Sequence, residues 1–211
     1  MKAVCRRLAC TVPLGLLAVS ACCAEPQAQS KGGIPQKVAL GAFTIEVPAA
    51  WKPLGLSEMA SFREQMQAQS KEIYRRYNSG AEDQSRKLDL VAYVSPDGAW
   101  LVGMVLVVPA KADLIGDLKS EAANKAKWGI QQGYIKWASD AKAITRDGFE
   151  GFVLEMENAK GTHDFAGGLT HSSRRTEVVA VQMLGAPADA KSAQTFEKLL
   201  SSVSLARQKI R

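Results

Sequence analysis

The run Leu101 to Val108, LVGMVLVV, is apolar or glycine at every position. A strand with one wet face alternates apolar and polar residues, so a run without alternation belongs at the centre of a sheet covered on both sides. This chain must therefore supply a packing layer for each face of a sheet, and its amphipathic segments are helices for that purpose.

The remaining pattern fits this demand. Val38 to Val47 reads as a first strand with Gly41 a bulge, stopped by Pro48. Ser57 caps a helix presenting Met59, Phe62, Met66, Ile73 and Tyr77 on one face, and 78–87 is a polar loop. Pro96-Asp97-Gly98 joins strands 88–95 and 100–108 as a hairpin. Asp113 opens a second helix that buries Leu114, Ile115, Leu118 and Ala122, with Gly129 and Gly133 interrupting its pattern. Short strands at 134–137 and 142–146 lead through Asp147-Gly148 into strand 149–157. Residues 158–174 read as a glycine-rich connection, 176–184 as a strand, and Pro187 and Asp189 start a helix burying Phe196, Leu199, Leu200 and Val203. Hairpin links and segregated helices give an α+β class: an antiparallel sheet of about six or seven strands flanked by three helices.

All four cysteines, Cys5, Cys10, Cys22 and Cys23, precede the first strand, so no disulfide or cysteine metal cluster is available to the domain. Lys2, Arg6 and Arg7 followed by an uncharged stretch from Leu8 to Ala24 form a signal-peptide pattern, interrupted by Pro13 and Gly15 and short for a membrane span. Val19-Ser20-Ala21-Cys22 resembles a bacterial lipobox. That resemblance implies diacylglycerol modification of Cys22, cleavage after Ala21 and acylation of the new amino terminus. Cleavage after Ala24 is the alternative, yielding a soluble periplasmic or secreted protein. The expected organisation is a signal peptide over 1–21, a lipidated Cys22 with a flexible tether over 22–37, one domain over 38–205 and a basic tail over 206–211. The tether is polar and rich in Gln, Gly and Pro, with a reach on the order of 20 Å. Lipoprotein sorting in double-membrane bacteria, by the same resemblance, implies the outer membrane facing the periplasm, because no Asp follows Cys22.

Removing the three leader cations from 27 Lys+Arg leaves 24 against 21 acids, and the tail holds three more cations. The folded body is thus charge-balanced, without the electrostatic footprint of nucleic-acid binding. No P-loop, dinucleotide fingerprint, G-x-S-x-G or H-E-x-x-H occurs, and no cofactor is expected. Ser139-Asp140-Ala141-Lys142 matches S-x-x-K but falls in a strand region, where the lysine is not one helical turn from the serine. The two histidines, His163 and His171, share the 158–174 connection with Asp164, so a folded loop offers them as weak metal candidates, set against a plain polar surface loop. Tyr74, Arg75, Arg76 and Tyr77, with Arg86 and Lys87, group aromatic and basic side chains that suit a partner, a headgroup or a glycan, or simply end a helix. Trp51, Trp100, Trp128 and Trp137 are either lining for a ligand cleft or core.

Across residues 38–205, the order of FTIEVPAAW, a central hairpin, an Asp-Gly turn into FEGFVLEME and a closing FEKLLSSV helix resembles the PsbP-like α/β/α sandwich family. Pro48, Trp51, Gly148 and Phe196 carry the likeness. It implies the sandwich fold but no chemistry, since members of that family share none. The expected role is a non-catalytic envelope lipoprotein, attached to the membrane through its lipid, that binds an envelope protein or component. A small-ligand carrier, or a metal-binding or hydrolytic protein built on the His163 and His171 segment, are the alternatives.

Overall fold

The computed structural model describes residues 33–54, 60, 64, 89–107 and 114–206. Among these, two sheets form around the central strand. The larger has eight strands in the order β3 (Lys52–Pro53), β4 (Leu90–Val94), β5 (Trp100–Val107), β10 (Glu177–Ala186), β9 (His163–His171), β8 (Phe149–Asn158) and β6 (Ile135–Ala138), with β7 (Lys142–Arg146) also pairing with β8. The smaller joins β1 (Gln36–Leu40), β2 (Phe43–Val47) and β11 (Ser204–Leu205). Every pairing is antiparallel, as hairpin chemistry requires.

The unbroken apolar run does occupy the interior of the sheet, and its alternate residues enter two separate cores. Leu101 and Val105 face a cluster with Val179, Val181, Met183, Phe165 and Leu169, roofed by β1, β2 and helix α2 (Ala190–Ser202). Val102, Met104 and Leu106 face the opposite cluster with Val178, Ala180, Phe152 and Leu154, roofed by helix α1 (Leu114–Gln131) through Leu118, Ala122 and Ala126. Spacings of four place those three helical residues on one stripe. The result is an α+β sandwich with a covering layer on each side.

Local chemistry explains most element ends. Asp147 (φ 45°) and Gly148 (φ 77°) make the tight β7–β8 turn, and Gly98 (φ 83°) closes the β4–β5 turn, as expected for Asp-Gly hairpins. Asp189 caps α2 by accepting the Ser192 N–H at 2.7 Å. At its other end the Arg146 guanidinium donates to the carbonyls of Leu200 and Val203, satisfying groups that a helix terminus leaves open. That guanidinium also lies 5.1 Å from the Phe149 ring centroid.

Three expectations are corrected and three fall outside the described residues. Val38 to Val47 is a hairpin rather than one bulged strand, because Gly41 (φ 60°) and Ala42 form a two-residue turn that sets Leu40 opposite Phe43. Gly129 does not interrupt α1: it is buried against Ile135, where a Cβ would come within 2.6 Å of the Ile135 Cδ1. The strand count exceeds six or seven because short edge strands and the small sheet add to it. The helix expected from Ser57, the cap at Asp113 and the group Tyr74, Arg75, Arg76, Tyr77, Arg86 and Lys87 lie outside the described residues.

Candidate functional site: one end of the large sheet

The largest revision concerns residues 158–174. Only short turns at 159–162 and 172–174 remain of it; His163 to His171 form β9, a nine-residue strand paired on both sides. Gly167 and Gly168 looked like loop residues, yet each makes room in the packing. A Cβ on Gly167 would meet Leu200 of α2 at 2.9 Å, and one on Gly168 would meet the Phe152 ring at 2.9 Å on the other face. The two histidines therefore sit at opposite ends of an extended strand, roughly 26 Å apart at 3.3 Å per residue. They cannot share a metal ion.

Each histidine has a local partner instead. His163 Nδ1 lies 2.7 Å from Glu155 Oε1 on the neighbouring strand, and His171 Nδ1 accepts the Ser173 N–H at 3.2 Å while its ring stands edge-on to Phe149 at 4.8 Å. Ser139 bridges to β8, its N–H donating to Glu155 O and its hydroxyl oxygen accepting the Glu155 N–H, which is a strand-register role rather than that of a nucleophile. Among the described residues no three His, Cys, Asp or Glu side chains are grouped to hold a metal ion.

Asp164 is 5% exposed and is spent on structure. Its carboxylate accepts the Gly185 N–H at 2.7 Å and the Asn158 amide at 3.3 Å. Gly185 (φ 67°) lies in the irregularity between Met183 and Ala186, so Asp164 satisfies a backbone donor that the bulge removed from the ladder. Burial raises its pKa above 3.8, opposed by those two hydrogen bonds and by His163. Because the folded value is the higher one, the native state holds the proton more tightly, and stability falls as pH rises from 3.8 through the folded pKa. Asp164→Asn keeps an acceptor for Gly185 without a charge to bury. Urea unfolding across that acidic window should show the decline in the parent and a flatter profile in the variant; parallel profiles would refute this role.

Trp51, a candidate for ligand contact, is 7% exposed and belongs to the core between the sheets, where it has no surface to offer a ligand. Trp100 is half-buried, whereas Trp128 and Trp137 are 49% and 47% exposed. A carrier pocket would lie under α1, where Ala122, Ala166, Gly168 and Ala180 leave an apolar cavity of about 50 Å³. That is far below the roughly 300 Å³ of a small-molecule site.

The exposed aromatics are set by the end of α1. Gly133 (φ 76°) donates to Ile130 O and Tyr134 donates to Gly129 O, the paired bonds of a Schellman stop. This stop turns the chain sharply into β6 and brings the Tyr134 ring to 5.9 Å from that of Trp128. Two residues into β6, Trp137 stands opposite Glu157, and Lys136 pairs with the Glu157 carboxylate at 3.1 Å. Ile130 (42%) and Tyr134 (62%) accompany Trp128 on the α1 side of the sheet, while Trp137 shares the face of Glu157 and Val153 on the other side of edge strand β6, so the two sides meet in one exposed apolar corner. Among the described residues the remaining exposed large hydrophobic is Ile34, at 91%. It precedes β1, where the Gln36 side-chain amide donates to the carbonyls of Ala49 and Trp51.

Register places all five on one end of the sheet. Trp51 precedes Lys52, which pairs with Val94; Val94 pairs with Trp100, and Trp100 with Leu184. Next to Leu184, Met183 faces Phe165, and two residues further out on β9 His163 faces Glu157, which faces Trp137. The point where the chain enters the fold and the aromatic corner thus share an end, on opposite flanks. Sequence reasoning named Trp128 and Trp137 but had no means of grouping them with Tyr134, Ile130 and Ile34.

No protein-family model and no curated protein matches the sequence. Among solved structures the chain is similar to cyanobacterial PsbP (CyanoP) from Synechocystis sp. PCC 6803, with a TM-score of 0.52 at 15% identity over 89% of this chain and 99% of that one. The fold is therefore PsbP-like.

Proposed function

We propose that this protein is a lipid-anchored, non-catalytic component of a bacterial envelope, acylated on Cys22 and held at the outer membrane facing the periplasm. The exposed end of its sandwich binds an envelope protein or component. One observation carries the binding surface: all five exposed large hydrophobics of the described residues gather at a single end of the sheet. Scattered apolar residues need no explanation, but a set confined to one end, with two Trp and one Tyr in it, has the composition of contact surfaces. Support for the anchor is the leader with its lipobox-like ending, since two or more acyl chains hold a protein stably where one does not. Among the described residues, no helix is long and apolar enough to cross a membrane.

Cys22→Ser should release the protein from the membrane fraction, and unchanged membrane partitioning would exclude lipidation as its anchor. Photo-crosslinking side chains at positions 128, 134 and 137 should give adducts in the envelope, while those at the exposed positions 147 and 150, at the opposite end of β8, should not. Equal adduct yields at the two sets of positions would refute the assignment of the surface.

A further inference from the structure

We propose that the aromatic end is a membrane-facing surface, seated on the headgroup layer of the bilayer to which the chain is tethered; this rests on the reading of the protein as an anchored envelope component. Three features of the end identify a lipid surface rather than a protein partner. The side chains are of the interfacial kind, since Trp128, Trp137 and Tyr134 each carry an apolar body and a polar edge, which suits the boundary between acyl chains and water.

Charge at the corner is complementary to anionic headgroups. Lys127, Lys136 and Lys160 are exposed around the aromatics, and the nearby acid Glu157 is paired with Lys136 at 3.1 Å. Among the described residues, the exposed acids Asp97 in the β4–β5 turn and Asp189 ahead of α2 lie outside the corner, and Asp140 stands three residues beyond Trp137, past the end of β6. Long lysine stems can lie along the apolar surface while their ammonium groups reach phosphates.

Geometry supplies the third feature. The exposed hydrophobics form two groups, Ile34 beside β3 and the aromatic corner beside β6, separated by six strand spacings or roughly 29 Å. A protein hot spot concentrates its anchors at the centre of one patch. A bilayer is a plane that receives both flanks together. Ile34 also sits where the tether joins the domain, so an acylated Cys22 with a reach of about 20 Å holds this same end towards the lipid.

The test uses the protein as recovered from its envelope, in vesicles of phosphatidylethanolamine with a minor fraction of phosphatidylglycerol. Flotation reads anchoring, and quenching of tryptophan emission by lipids brominated high on the acyl chain reads contact of the aromatic end. Trp128 and Trp137 should be quenched and blue-shifted, and Trp128→Phe with Trp137→Phe should abolish most of the quenching while circular dichroism and flotation stay unchanged. Lys127→Glu should weaken quenching without touching a ring. A protein that floats with its tryptophans unquenched overturns the membrane-facing surface and leaves anchoring intact. Flotation and quenching that both survive Cys22→Ser support the surface while removing the lipid anchor. Adducts from position 134 that contain only protein, with no lipid, overturn the proposal in favour of a protein partner.

Discussion

Gly151→Ala is expected to destabilise the domain by about 3 kcal/mol or more, lowering the urea midpoint with little change in the denaturant slope. Gly151 lies in β8 opposite Leu169 of β9, and a Cβ there would land on the carbonyl oxygen of Gly168 and within 2.6 Å of the Leu169 Cδ2. Side chains rotate away from an added methyl group, but a ladder carbonyl does not. Relief requires β8 and β9 to separate, and these strands carry residues of both cores. Gly168→Ala is the internal comparison, since its new methyl meets the edge of the Phe152 ring at 2.9 Å and its three nearest neighbours are all atoms of that ring. Its cost should stay near the ordinary 1–3 kcal/mol of overpacking. Equal losses for the two variants would show that the close approach of the strands is not the limiting contact.

Phe196→Ala should cost about 3–5 kcal/mol, the range for truncating a buried aromatic ring. Phe196 is fully buried on α2 and stacks on Phe165 of β9 at 5.3 Å, joining helix and sheet in the core beneath the small sheet. Removing the ring leaves a void bordered by strands that cannot collapse without breaking their ladders. Phe196→Leu keeps most of the volume and should recover more than half of the loss. If Phe196→Ala unfolds at the parental midpoint, α2 is not integral to the cooperative unit. Trp128 and Tyr134 are carried by α1 and the turn after it, on the face away from Phe196, so Phe196→Leu should leave the quenching of Trp128 intact.

Much of the architecture was readable because each signal was local. Asp147-Gly148 and Pro96-Asp97-Gly98 supply backbone conformations that tight hairpins require, and Asp189 supplies the oxygen that starts α2. Gly41 was read as a bulge because the residues around it alternate as one strand would. The hairpin depends on pairing between its two halves and on the closing contact of β11 with β2, made by residues more than 150 positions away. Residues 163–171 were misread for a related reason. Gly167 and Gly168 are loop residues by propensity, and only the Leu200 and Phe152 side chains packed over them explain their place inside a strand.

By itself, the sequence determined the covered central strand, the antiparallel α+β class, the hairpin turns and the faces of α1 and α2, because hydrophobic period and turn chemistry are properties of neighbouring residues. Tertiary structure alone decided that His163 and His171 are a strand length apart, that Trp51 is core, and that Ile34, Trp128, Ile130, Tyr134 and Trp137 share one end. Those facts depend on strand order and register, which join residues distant in the chain through contacts that no local pattern encodes.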